Sequence, residues 1–235
     1  MPELVRPEFS VKDASLLLEE HYGLCCTLKE FPGERDRNFL AQEKNGETYV
    51  LKISNSCETL EFLQVQHAAL ERSSKLLEPG RIPIVFPDKN GESLLRVSSA
   101  DGSQHWMRLV RYVDGLPMAE YRPYTGEFLR ELGRMCGIVT KALHEIPAPP
   151  PSHTLLWEMH NVQETLHEYM PWIKDEKLLC WVKKSLDLYS RTIEPLESKL
   201  RRGWIHNDFN DYNVLAVPKI SGIPDVGLID FEIGR

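Results

Sequence analysis

The sequence predicts an α+β protein, with an amino-terminal antiparallel sheet carrying one helix over residues 1–113 and a mostly helical second part over 114–235. Three observations lead there. Short β-branched and aromatic runs alternate with tight-turn residues through the first part; apolar positions recur at helical spacing in the second; and two brief apolar runs near the end flank a cluster of His, Asp and Asn.

In chain order, Val11 to His21 opens as a helix. "CCTLKEF", "NFLAQEK" and "TYVLKIS" follow as strands, broken by "PGERDR" and "NGE", the turn chemistry of consecutive hairpins. "ETLEFLQVQHAALERSSKLL" is the inserted helix, with Leu60, Leu63, Ala68 and Leu70 as its apolar positions, and "IPIVFP", "SLLRVSS" and "HWMRLVRYV" complete the sheet. Past "VDGLP", residues 113–117, where the two parts divide, "TGEFLRELGRMCGIVTKALHEI" puts Phe128, Leu132, Met135, Val139 and Leu143 on one helical face. Thr125 is its N-cap, and "PAPPP" ends it because proline cannot continue a helix. Two more helices are expected at 160–173 and 175–201.

Composition narrows the function. At 235 residues and 42% hydrophobic content the chain can bury a real core. Its net charge of −7 supplies no basic stripe for nucleic acid or an anionic membrane, so neither is an expected partner; the sign suits a cationic small molecule. Five cysteines (Cys25, Cys26, Cys57, Cys136 and Cys180) form an odd set without CxxC spacing, which fits a reducing compartment better than a disulfide framework or a zinc site. The start has no signal-type apolar core and no run approaches the roughly 20 residues of a membrane span, so a soluble, cytoplasmic protein is expected.

The chemistry concentrates in "GWIHNDFNDYNVLAV", residues 203–217, where His206, Asp208 and Asn213 stand as HxDxxxxN. "DVGLIDFEIG" follows, with Asp230 inside an apolar run. Taken alone, the first pattern also describes a polar surface loop rich in Asx turns. Asp230 changes the balance, because a carboxylate where burial is expected wants a metal or a partner. A phosphoryl-transfer site needs one carboxylate to receive or orient the acceptor hydroxyl, then an Asn and a second carboxylate to hold Mg²⁺ against the nucleotide phosphates. The apolar flanks would hold this loop on a short hairpin. Lys52, in "TYVLKISN", reads ordinarily as an edge or solvent-facing residue; in the third strand it also stands where kinases keep the Lys that contacts the α and β phosphates.

On "TYVLKISN", "MRLVRYVDGLPMAE", "LGRMCGIVTKAL", "IHNDFNDYNVL" and "GLIDFEIG", the chain resembles the aminoglycoside phosphotransferase and choline kinase family, most of all its hydroxylysine kinase branch with the bacterial relatives. The resemblance implies a protein kinase-like bilobal fold: a nucleotide-binding lobe over 1–113 and a catalytic lobe over 114–235. It implies ATP or GTP as donor, Mg²⁺ as cofactor, and a small, amine-bearing acceptor. It makes Asp208 the catalytic carboxylate, Asn213 and Asp230 the Mg²⁺ ligands, Lys52 the phosphate contact and His206 a residue that holds the loop. It makes Arg111, Tyr112 and Val113 the hinge meeting the purine, although Tyr112 reads equally as packing. Aminoglycoside, choline and homoserine are alternative acceptors; a kinase-like domain of an aminotransferase fusion and a nucleotide-binding fragment without turnover are alternative functions.

Several positions depart from the family's pattern. The phosphate-covering turn "FPGERDRNF" carries one glycine, Gly33, and "DFE" replaces DFG, so that Glu232 can add a carboxylate near the metal. The helix residue pairing with Lys52 stays open between Glu61 and Gln64. Arg235 ends the chain five residues past Asp230, where the family continues into further helices. The expectation is therefore an incomplete second lobe, with the faces of helices 126–145 and 175–201 partly uncovered.

Overall fold

The computed structural model describes residues 6–33, 35–147, 158, 161–219, 222–231 and 233. The chain forms two compact units, Met1–Ile138 with Phe209–Phe231, and Val139–Asp208 with Glu232–Arg235. Glu232 and most of "PAPPP", expected above as a metal-side carboxylate and a helix stop, lie outside the described residues.

The first unit is built on an antiparallel sheet of β1 (Thr27–Phe31), β2 (Arg37–Gln42), β3 (Thr48–Ile53), β4 (Val85–Phe86), β5 (Leu95–Ser98) and β6 (Gln104–Arg111). Its order is β1-β2-β3-β6-β4, with β5 also on β6. Alternation along the strands divides the faces. Phe39, Leu51 and Leu109 stand in one cross-strand row; with Ala41, Ile53 and Met107 they form a core with Ala14 and Leu18 of α1 (Val11–Leu17) and its continuing π turn, Leu18–Tyr22. Ser10 starts that helix with a capping box: its Oγ accepts the Asp13 N–H, while Asp13 Oδ2 accepts the Ser10 N–H at 2.8 Å.

The other face carries the row Asn38, Lys52, Arg108 on β2, β3 and β6. Helix α2 (Leu60–Ser74) starts at the Thr59 cap and buries Leu63, Gln66, Ala69, Leu70 and Ser73. Leu60 and Ala68, expected on its inner side, are only half-buried. Gln66 and Ser73 take inward positions that an apolar pattern does not reveal. Helix α3 (Gly126–Leu143) begins where Thr125 Oγ1 accepts the Phe128 N–H at 3.1 Å, and buries Phe128, Met135, Val139, Ala142 and Leu143.

A small antiparallel sheet completes the first unit: β7 (Leu116–Pro117), β8 (Val214–Val217) and β9 (Asp225–Leu228), in that order. β8 and β9 are the hairpin expected from "VLAV" and "VGLI"; β7 lies in "VDGLP", read above as the division between the two parts, and Trp204–Ile205 forms no strand of this sheet.

The second unit holds the end of α3, then α4 (Val162–Tyr169) with a 3₁₀ turn to Trp172, and α5 (Glu176–Thr192). The expected helix over 175–201 is shorter as an α-helix. Pro195 has no N–H to continue the ladder, and the chain tightens into a 3₁₀ turn over Glu194–Lys199. Gln163 Nε2 ties α4 to α5, donating to Ser190 Oγ at 3.0 Å and Glu194 Oε2 at 2.6 Å. The two faces expected to lie open behave differently: α3 is packed, whereas α5 buries no residue and leaves Trp181 67% exposed. No helix among the described residues is long and apolar enough to cross a membrane.

Candidate active site

The sequence-predicted residues are positioned by local backbone chemistry. Trp204, fully packed, donates its indole N–H to Pro147 O at 2.7 Å and anchors the approach to the motif, while Ile205 beside it stays exposed. His206 is buried, and its Nδ1 accepts the backbone N–H of Asp208 at 3.3 Å. That leaves the ring proton on Nε2 and lets the imidazole hold the main chain at Asp208. Asn207 between them adopts φ 67°, a left-handed conformation that Asn tolerates better than most residues. Asp208 is half-buried and belongs to the second unit.

From Phe209 the loop returns to the first unit. Asn210 Oδ1 accepts the N–H groups of Tyr212 at 2.8 Å and Asn213 at 3.0 Å, an Asx turn that directs the chain into β8. Ala119 N–H to Asp211 O and Met118 N–H to Val214 O, at 2.8 and 2.7 Å, tie the same loop to the segment after β7. Asn213 is thereby buried, and its carbonyl accepts the Ile229 N–H at 2.9 Å, one residue before Asp230.

Asp230 itself differs from expectation. It does not sit inside the apolar strand: β9 ends at Leu228, and Asp230 turns out at φ 58° with its side chain 40% exposed. The reason is conformational, since a left-handed residue cannot continue an extended ladder. Among the described residues, Asn207 and Asp230 are the two non-glycine positions with positive φ. Its carboxylate has a partner: Lys52 Nζ donates to Asp230 Oδ1 at 3.1 Å, across 178 residues of sequence. Lys52 is neither an edge residue nor solvent-facing, because β3 lies between β2 and β6 and its side chain is 19% exposed. Glu61 and Gln64 of α2, between which its partner was left open, are both exposed.

Sequence reading missed Arg108. It is 6% exposed, stands opposite Lys52 in the ladder, and its Nε and Nη1 have no hydrogen-bond partner among the described residues. Burial lowers its basicity, and Asp36, Glu58 and Asp230 counter that loss. Glu58 is held above the usual carboxylate range, first by burial and then by Asp36, with Arg35 at 3.4 Å and Arg108 opposing. Burial, and after it the charge of Arg108, push His67 down to about 3. The signal for Arg108 was register, which no local pattern shows.

The remaining expected residues are placed as follows. At Gly33 an added Cβ would lie 2.4 Å from Asn38 Nδ2 and 2.9 Å from Asp36 O, so this turn requires glycine for close approach. Arg111 pairs with Glu47 at 2.7 Å, and its N–H bonds to Ile84 O. The Tyr112 N–H bonds to Thr48 O, and its ring meets Phe31 edge-on at 6.2 Å. Val113 is buried. The Asn213 amide and the half-exposed Asp230 carboxylate suit Mg²⁺, a hard cation that takes few protein oxygens and keeps several waters.

The sheet with its inserted helix, the third-strand Lys and the Asp-bearing hairpin define a protein kinase-like phosphotransferase fold. The chain belongs to the phosphotransferase enzyme family, whose family model matches residues 27–233. It is similar to hydroxylysine kinase of Danio rerio, 24% identical over 94% of this chain and 65% of that protein, so it spans just under two thirds of that relative's length. Its fold is similar to that of a microcompartment-associated aminopropanol kinase (TM-score 0.71, 18% identity, 96% of this chain and 70% of the other). It is also similar to that of an amicoumacin kinase in complex with AMP-PNP and Ca²⁺ (TM-score 0.68, 12% identity, 96% and 65%).

Proposed function

We propose that the chain transfers the terminal phosphoryl group of ATP or GTP to a hydroxyl of a small amine-bearing metabolite, with an amino alcohol such as hydroxylysine as acceptor. The observation that carries this reading is the 3.1 Å pairing of Lys52 with Asp230, which joins the third strand of the sheet to the hairpin following the HxDxxxxN loop. The two lobes are residues 1–113, for the nucleotide, and 114–235, for catalysis. Lys52 binds the donor phosphates, the Gly33 turn covers them, and the Arg111–Tyr112–Val113 segment meets the purine. Because the N–H groups of Arg111 and Tyr112 are committed within the sheet, the purine edge is left the Val113 N–H and the segment's carbonyls.

Asn213 and Asp230 hold Mg²⁺, which neutralises charge on the phosphates when bound. Asp208 orients the acceptor hydroxyl and takes its proton as the new O–P bond forms and the bond to the departing diphosphate breaks. The amine-bearing acceptor agrees with the net charge of −7 and with the similarity to hydroxylysine kinase.

Mg²⁺ with ATP or GTP at about 100 times its Kd should stabilise the chain by about 2.7 kcal/mol, a rise in Tm of several degrees. The rise should shrink in Asp230→Ala. Absence of a shift with either nucleotide, in a chain that melts cooperatively, would falsify the reading. ADP or GDP release on adding hydroxylysine or aminopropanol tests the acceptor.

A further inference from the structure

β9 is paired on one side by β8, and one residue of the segment between α2 and β4 holds its other edge. The carbonyl of Arg81 accepts the Leu228 N–H at 2.8 Å, and its Nε donates to Val226 O at 2.8 Å. These bonds stand astride Gly227, where an added Cβ would lie 3.2 Å from Arg81 O and 2.7 Å from Val217 Cγ2. A side chain here would crowd Val217 first and press the Arg81 carbonyl by a few tenths of an ångström, so glycine eases the approach of the Arg81 backbone. Arg81 is 4% exposed, and Glu131 of α3 receives the far end of its guanidinium at 3.5 Å.

Two residues after Leu228 comes Asp230, whose left-handed backbone takes it out of the ladder. Its carboxylate is thus delivered by the end of β9, and a displacement of that strand moves it directly. We propose that Arg81 is a positioning residue for Asp230: its two hydrogen bonds across Gly227 set where the hairpin presents that carboxylate, and so set the affinity for a divalent metal bound with a nucleotide. This rests on Asp230 being a metal ligand. Groups that orient metal ligands are worth roughly 10 to 100-fold in metal affinity when removed.

The test is a Mg²⁺ titration at fixed concentration of a fluorescent ATP analogue, with binding in EDTA as the metal-free reference. Wild type, Arg81→Lys, Gly227→Ala and Glu131→Gln are compared, each alone and combined with Asp230→Asn, after their unfolding curves show them folded. Arg81→Lys keeps the charge but not the fork that reaches both Val226 and Glu131. It should raise the Mg²⁺ needed for half-saturation about tenfold and leave metal-free affinity within about twofold. Glu131→Gln, which spares both bonds to β9, should act in the same direction but less, and remains readable if Arg81→Lys or Gly227→Ala fails to fold. On the Asp230→Asn background these losses should disappear, because the group being positioned is gone. Equal losses with and without metal, undiminished losses on that background, or unchanged Mg²⁺ dependence would each overturn the positioning role. A wild-type chain that binds nucleotide without any response to Mg²⁺ would instead overturn the metal reading of Asp230, and the inference with it.

Discussion

Asp208→Asn is expected to lower phosphoryl transfer about 10²-fold or more while leaving Mg-nucleotide affinity within about a few-fold. The two side chains are nearly isosteric, so the loop keeps its shape, but the amide cannot take the acceptor's proton. Asn213 and Asp230 should behave in the opposite way, losing metal-dependent binding first. His206 separates from both, since its ring holds the backbone of Asp208 at 3.3 Å from a buried position. Its replacement by Ala should cost about 1–3 kcal/mol of stability, the range for breaking a buried hydrogen bond. Nucleotide affinity and single-turnover rate, measured side by side for the four variants, decide the assignment. Full rate in Asp208→Asn, with Asn207 or Asp211 essential, would move the base to another residue of the loop.

The second large effect is on stability and depends on pH. The His67 imidazole, 3.3 Å from Ser93 Oγ at Nδ1, is kept neutral in the folded chain down to about pH 3, whereas its unperturbed value is 6.5. Below pH 6.5 the unfolded chain therefore takes up a proton that the folded chain refuses, so this contribution is complete above 6.5 and lost as pH falls towards 3. Between pH 7 and 4 the loss amounts to about 3 kcal/mol from this one group. Urea unfolding of wild type and His67→Gln across that range measures it. The difference between the two curves should be flat above pH 7 and should turn against wild type on acidification. A difference that stays flat to pH 4 would mean that the imidazole is solvated in the folded chain.

How much of this was legible follows from which features are local. β1, β2, β3, β5, β6 and the start of α3 were readable closely, because alternation and the Thr125 cap are written into adjacent positions, whereas β4 starts only at Val85 within "IPIVFP", α3 stops at Leu143 and the short β7 went unread. The polar row Asn38, Lys52, Arg108 was not, because register between strands depends on pairing at a distance. Gln66 and Ser73 face inward on α2 with side chains that an apolar count passes over. At Lys52 the sequence pointed to a partner on α2 and the structure supplies Asp230. At Asp230 apolar neighbours suggested burial, and the left-handed turn after β9 brings the carboxylate out instead. Both residues were singled out from the motif order; what the order lacked was their contact.

The two left-handed positions, Asn207 and Asp230, have a consequence for how such a sequence decays. Glycine adopts this backbone without the steric cost, of order 1 kcal/mol, borne by a side chain. On the role proposed for Asp230, activity requires its carboxylate against that gradient. In a duplicated gene relieved of its task, glycine at either site is a mutation that relaxes the backbone, and at 230 it also strips Lys52 of its carboxylate. A paralogue with glycine there and an intact sheet would record a lineage that kept its fold and gave up its chemistry.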